Sequence, residues 1–271
     1  MKYAIMSDAH ANPAALLKVV DDAKDQACGR FVFLGDAVGY GYDAKSTVDV
    51  LRTQFDVVLR GNHDVACRKT LAREDAEWLR SRAHRHDGDG FSCIHGDFIA
   101  PQDRVSIVGD LGVGDLGAWY AFRAKRARVS FSGHTHHACV WEEGADGNLA
   151  RLFDMYCESV PIEPESWTVT LRPQGRYVVN CGSVGYPRND LCSTYAIYDE
   201  DMGKITIRRI PFDFAGYVGE MLSFGNLLLP RWLVEYSLCC TGRYPQRGGA
   251  VSSRPLDSSM HFPSPSSSRR P

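Results

Sequence analysis

Short runs of β-branched and aromatic residues alternate with amphipathic stretches through the first half of the chain. Residues 3–6 predict a strand and 13–27 a helix, with Asn12 as its N-cap and Pro13 in its first turn; residues 31–34 predict a second strand. A helix over 45–53 and a strand over 57–59 continue the alternation. This β-α-β-α rhythm builds a parallel sheet covered by helices. A helical pattern follows at 73–82, and strands at 91–94 and 128–131 flank a further helix at 118–126.

From Ala138 onward the pattern becomes strands and turns, with strands expected at 139–142, 167–171, 176–179, 194–198 and 205–210. The natural expectation is a second, largely antiparallel sheet, with the core between two sheets and helices outside. Residues 1–212 then form one domain, and 213–240 a C-terminal helical extension with short helices at 214–222 and 231–238. The last 21 residues hold eight Ser and four Pro. They cannot bury enough apolar surface to offset the entropy of ordering, so 241–271 is expected to be a disordered tail.

Composition narrows the function classes. The 271 residues carry 31 Lys+Arg against 33 Asp+Glu, a formal net charge of -2, and 44% hydrophobic residues. No global charge draws the chain to nucleic acid or to an anionic membrane. No run of about 18 apolar residues could span a bilayer. The nine cysteines are scattered, odd in number and without a C-x-x-C pair, as expected of reduced thiols in a cytoplasmic protein.

Five segments carry chemistry: Asp8-Ala9-His10, Gly35-Asp36, Gly61-Asn62-His63-Asp64, His95-Gly96-Asp97 and Gly133-His134-Thr135-His136. Each follows a predicted strand, and in an open α/β sheet the carboxyl ends of the strands share one rim, where such segments converge. If the segments are extended, Asp8 with His10, and His134 with His136, point the same way. Carboxylates, imidazoles and an amide oxygen form a mixed N/O set suited to Mn, Fe, Zn, Co or Ni. One carboxylate can bridge two ions about 3.5 to 4 Å apart, an arrangement that clamps phosphate and activates hydroxide for in-line attack.

In this order the motifs D-x-H, GD, GNH[DE], H and GH-x-H resemble those of the calcineurin-like metallophosphoesterases. SDAHAN, GDAVGYG and NCGSVGYPRN are most similar to the branch of small bacterial and archaeal phosphoesterases that includes diadenosine tetraphosphatase-like and protein-phosphatase-like members. The resemblance covers about residues 1–210. It implies a four-layer α/β/β/α sandwich with two mixed sheets and a metal site on the rim of strand carboxyl ends. It further implies two divalent ions, manganese favoured: one held by Asp8, His10, Asp36 and His136, the other by Asp36, Asn62, His95 and His134. His63 would be the histidine facing the phosphoryl group and Asp64 its orienting partner. Asn62 would also help stabilise charge on the phosphate. Three departures stand out. Ala11 occupies a position where this branch usually has Gly, Cys181 stands where N-P-G-S-V-G has Pro, and Tyr40-Gly41 follow the second motif where protein phosphatases carry an arginine that grips phosphate.

Other signals are weaker. Gly182-Ser183-Val184-Gly185 reads equally as a backbone anion nest, with Arg188 reaching an anion, or as a glycine-rich turn. Tyr40 and Tyr186 could flank the cleft, although loop tyrosines more often pack. His84 and His86 fall in a charged run expected to be a solvated loop, and His137 is expected to be structural. Residues 112–117 satisfy G-x-G-x-x-G but lack the acidic ribose anchor, so a flexible loop is expected. Cys181 to Arg188 has one residue too many for a cysteine phosphatase loop.

The expected function is hydrolysis of a small phosphomonoester or phosphodiester by metal-bridged hydroxide, a phosphatase or phosphodiesterase activity. A dinucleoside polyphosphate or a phosphoprotein is the alternative substrate. A catalytically silent scaffold on the same fold is the alternative of another class.

Overall fold

The computed structural model describes residues 1–66, 71–88, 90–96, 127–154, 166–187 and 192–223. The elements in chain order are β1 (Lys2–Met6), α1 (Pro13–Asp25), β2 (Arg30–Phe33), α2 (Ala44–Gln54), β3 (Val57–Val58), α3 (Asn62–Ala66), α4 (Arg73–Arg80), β4 (Arg85–Asp87), β5 (Phe91–Ile94), β6 (Val129–Ser132), β7 (Ala138–Glu143), β8 (Leu149–Asp154), β9 (Ser166–Thr170), β10 (Arg176–Cys181), β11 (Cys192–Asp199), β12 (Lys204–Pro211) and α5 (Phe214–Ser223). The start of α1 is built as its sequence implies, with the Asn12 side chain accepting from the Ala15 N–H and Pro13 in the first turn, where no amide is needed.

Two six-stranded sheets result, ordered β3-β2-β1-β11-β12-β9 and β4-β5-β6-β10-β7-β8. Both are mixed. In the first, β1, β2 and β3 run parallel while β11, β12 and β9 join antiparallel. In the second, β5, β6 and β10 run parallel, while β4 joins β5, β7 joins β10 and β8 joins β7 through antiparallel pairings. The strands after Ala138 therefore do not make a sheet of their own: β9, β11 and β12 extend the first sheet, while β7, β8 and β10 extend the second. Period-two alternation marks a strand but carries no information about which distant strand it pairs with.

The sheets face each other across an apolar layer that includes Ile5, Val32 and Leu34 from one side and Phe91, Phe131 and Val179 from the other. On the outer face of the first sheet, Leu16, Val19 and Val20 of α1 and Val48 and Leu51 of α2 pack on Ala4, Met6 and Phe33. The expected helix at 118–126 on the far side lies outside the described residues. So do the tail at 241–271, the helix at 231–238, the 112–117 loop and Arg188. The charged run around His86 is a correction to the sequence reading: Arg85–Asp87 forms an edge strand on β5, with His86 half-buried. Among the described residues, no helix is long and apolar enough to cross a membrane.

Candidate metal centre

The described residues of all five motif segments meet on one rim; Asp97 lies outside the described residues. β1, β2, β3, β5 and β6 deliver Asp8–His10, Asp36, Asn62–Asp64, His95 and His134 from their carboxyl ends, and antiparallel β7 begins just after His136. These residues come together on the rim, but alternation in an extended segment is not what aims them. Asp8, His10, Ala11, Asp36, His134 and His136 all have φ between 47° and 69°, the left-handed region that side chains other than glycine rarely adopt. The coiled loop is held from beside it: the N–H groups of Asp8, His10 and Ala11 donate to the carbonyls of Gly35, Asp36 and Ala37. Ala11 shares the strain, which is why glycine suits that position.

The motif glycines are there for close approach. A Cβ on Gly61 would lie 2.1 Å from Asp36 Oδ1, and one on Gly133 1.9 Å from Ser7 Oγ. The Gly182–Gly185 turn is filled in the same way. Its Val184 and Gly185 amides donate to the carbonyls of Ser7 and Asp8, and the Ser183 amide donates to Thr194 Oγ1. These amides brace the Asp8 loop and do not form an open anion nest.

Three groups bring ligand atoms within 4.8 Å of one another: Asp8, His10 and His136 in the first cluster, Asp36, His95 and His134 in the second, and His10, Asp36 and His63 in a third that joins them. His10 Nδ1 lies 3.2 Å from the Val38 carbonyl and His136 Nδ1 2.7 Å from that of Tyr186. A carbonyl only accepts, so each ring carries its proton on Nδ1 and turns a bare Nε2 inward. The two Nε2 atoms are 2.9 Å apart. Asp8 Oδ1, 3.2 Å from His136 Nε2, is buried without a hydrogen-bond partner among the described residues. Three electron-rich atoms thus crowd one buried point, a costly arrangement that a cation resolves.

Asp36 lies between the clusters. Its Oδ2 is 3.2 Å from His95 Nε2 and 3.9 Å from His10 Nε2, while its Oδ1 accepts the His63 N–H. Asn62 Oδ1 lies 3.2 Å from His95 Nε2. In the ion pairs among the described residues, Asp8 and Asp36 meet imidazoles and no Lys or Arg.

Burial raises the pKa of the Asp8 carboxyl, but His136, His10 and His95 outweigh it and hold the group well below the usual carboxylate range. Burial likewise raises Asp36, and the charge of His95 brings it down to about 2. Burial depresses His10 to about 4, which keeps the ring neutral, and lowers His134. Burial would lower His95 too, but the Asp36 charge overrides it and lifts the ring to about 9. His63 is half-buried at the mouth, with its ring 4.8 Å from that of Tyr40 and 5.0 Å from that of His10. Tyr40 stacks on Tyr186 at 4.4 Å, so the two loop tyrosines form an aromatic wall beside the site. Behind them pack Tyr217, Val218 and Met221 of α5.

Residues 1–203 match the calcineurin-like phosphoesterase superfamily domain. The chain belongs to that superfamily. A crystal structure of a metallophosphoesterase from Sphaerobacter thermophilus is similar at 26% identity and a TM-score of 0.70, covering 88% of this chain and 98% of that one. An uncharacterized protein of Methanocaldococcus jannaschii is 25% identical over 86% of this chain and 95% of its own length. A hypothetical protein of Pyrococcus horikoshii shares the fold at 15% identity and a TM-score of 0.61, over 87% of this chain and 97% of that one. This calcineurin-like protein is a metal-dependent phosphoesterase, a hydrolase of phosphoric ester bonds.

The sequence did not reveal the carbonyls that fix the imidazole tautomers, nor the partners of Asp64. That carboxylate, expected to orient His63, accepts hydrogen bonds from four backbone amides.

Proposed function

We propose that the protein is a dinuclear phosphoesterase acting on a small phosphomonoester or phosphodiester. The observation that carries this reading is the pair of adjoining clusters with the Asp36 carboxylate of the second 3.9 Å from His10 of the first, which itself holds two bare Nε2 atoms and an unpartnered carboxylate oxygen at one buried point. Asp8, His10, Asp36 and His136 would hold one ion and Asp36, Asn62, His95 and His134 the other. The mixed N/O donors suit borderline divalent ions, with manganese our choice among Mn, Fe, Zn, Co and Ni. When bound, such ions supply an activated water and neutralise charge on the phosphoryl oxygens.

The chain's own residues do the rest. Asn62 stands close enough to the second cluster for its amide to share the charge gathering on the phosphate. His63, half-buried at the mouth while its backbone is tied to Asp36, would donate its proton to the departing alkoxide. The aromatic wall of Tyr40 and Tyr186 closes one side of the cleft against water. The buried Cys181 thiol, pushed well up by its surroundings, is no nucleophile. We further read the protein as cytoplasmic, supported by Cys28, Cys93 and Cys181, none in a disulfide, with a small phosphorylated molecule as its partner.

The test is a panel of phosphomonoesters, phosphodiesters, dinucleoside polyphosphates and phosphopeptides offered to metal-free and Mn-loaded protein. Turnover of a simple ester only with metal supports the proposal. Preference for a dinucleoside polyphosphate or a phosphopeptide would move the substrate to that class, and no turnover of any member would favour a silent scaffold.

A further inference from the structure

Asp64 is fully buried and its carboxylate is surrounded by amides from two separate motifs. Oδ1 accepts from Ala37 N (2.9 Å) and Val38 N (3.2 Å), and Oδ2 from Asp36 N (2.9 Å) and Gly61 N (2.8 Å). In return, Asp36 Oδ1 accepts from the His63 N–H at the start of α3. The two aspartates clasp each other's backbone across the gap between the β2 and β3 loops. Asp36 needs such a clasp because its φ of 57° is unfavourable for a residue with a side chain.

We infer that Asp64 is a positioning residue for Asp36: it fixes the turn over 36–38, left-handed at Asp36, that presents this carboxylate between the two metal clusters. This rests on the dinuclear reading above, and it places the effect of Asp64 on the metal ligands, where the sequence resemblance had placed it on His63. The requirement for a carboxylate follows from the bonding. Two oxygens, each with two lone pairs, match two pairs of N–H donors. An asparagine offers one oxygen for one pair and turns an NH₂ group toward the other, donor against donor, which would release part of the turn.

The experiment compares wild type, Asp64→Asn, His63→Ala and the double variant, by equilibrium Mn titration and by hydrolysis of esters with good and poor leaving groups. The inference expects Asp64→Asn to weaken metal binding by at least about tenfold, the scale seen when the partner that orients a ligand is lost. Excess metal should restore turnover. The fractional loss should be the same for both leaving groups and should persist in the His63→Ala background. Unchanged metal affinity with a loss confined to poor leaving groups and absent from the double variant would overturn the inference in favour of His63. Unchanged metal affinity with only a lower melting temperature would overturn it in favour of a merely structural role. Should Asp64→Asn fail to fold, Asp64→Ser carries the same comparison, because it also leaves a single acceptor oxygen for the two pairs of N–H donors; Mn affinity equal to wild type there would contradict the inference. Wild-type protein that binds fewer than two ions would instead refute the dinuclear reading itself.

Discussion

The layer between the two sheets and the rim above it are made by the same strands under opposite rules. Inside the layer, Phe131 packs edge-on against Phe91 with centroids 6.1 Å apart and meets Tyr198 at 5.7 Å, and the lining is overwhelmingly apolar. A few residues further along those strands, backbones turn left-handed and carboxylates and imidazoles are buried with their lone pairs facing one another. Packing of the first kind stabilises the fold by about 1.5 to 3 kcal/mol per large side chain. Each left-handed residue costs roughly 1 to 2 kcal/mol. The lesson is that the core holds the rim in a geometry it would not adopt alone, and that mutations in the two regions should separate stability from activity.

The sharpest separation comes from Phe131→Ala. It should lower unfolding free energy by about 3 to 5 kcal/mol in urea titration. The fraction that remains folded should keep its metal stoichiometry and its kcat. Asp36→Asn should do the reverse. Losing the shared carboxylate should cost several kcal/mol of transition-state stabilisation, on the order of a thousandfold in kcat/KM. Circular dichroism should show a retained fold; a global collapse would place Asp36 with the core.

His63→Ala comes next. It should leave metal content intact and slow hydrolysis by about a hundredfold for a poor alkoxide leaving group, with a much smaller loss for p-nitrophenolate, which departs without needing a proton. Depleted metal would instead make His63 a ligand, a role its closeness to His10 and Asp36 makes worth testing. Equal losses on both leaving groups would make it a charge stabiliser.

How far the sequence reaches follows the same division. The α1 cap, the parallel strands and the five motif segments are local patterns, and each stands where its pattern placed it. Arg85–Asp87 was not legible as a strand because Arg-His-Asp has no apolar alternation; its place comes from pairing with β5. Leu149–Asp154 was missed for a related reason, since its register on β7 shifts between Val140 and Trp141. At the site, residue types announced the metal chemistry. The left-handed turns, the carbonyls of Val38 and Tyr186 behind the imidazoles and the amides around Asp64 arise from contacts between distant segments, which no spacing encodes.

The smallest effect sharpens the contrast at its boundary. Ala11 is buried with a φ of 57°, and its carbonyl accepts from the Tyr217 hydroxyl of α5 at 3.0 Å. Ala11→Gly relieves the strain but loosens the unfolded chain, for a net gain below about 1 kcal/mol. A lower urea midpoint would show that the surrounding loop tolerates the left-handed turn without strain.

Titration calorimetry of the metal-free protein with Mn at pH 7, repeated in two buffers of different ionisation heat, tests the metal centre most directly. Without metal, His95 titrates at about 9 and carries a proton at pH 7, whereas His10, at about 4, does not. Because the folded pKa of His95 exceeds the unfolded value of about 6.5, its pairing with Asp36 stabilises the metal-free fold fully below that value, and the stabilisation is lost as pH rises through about 9. A metal ion must displace the same proton, so affinity should climb as pH rises toward 9. The expected result is two ions per chain with release of roughly one proton; a single ion, or binding without proton release and without pH dependence, would contradict the two-cluster site built around Asp36.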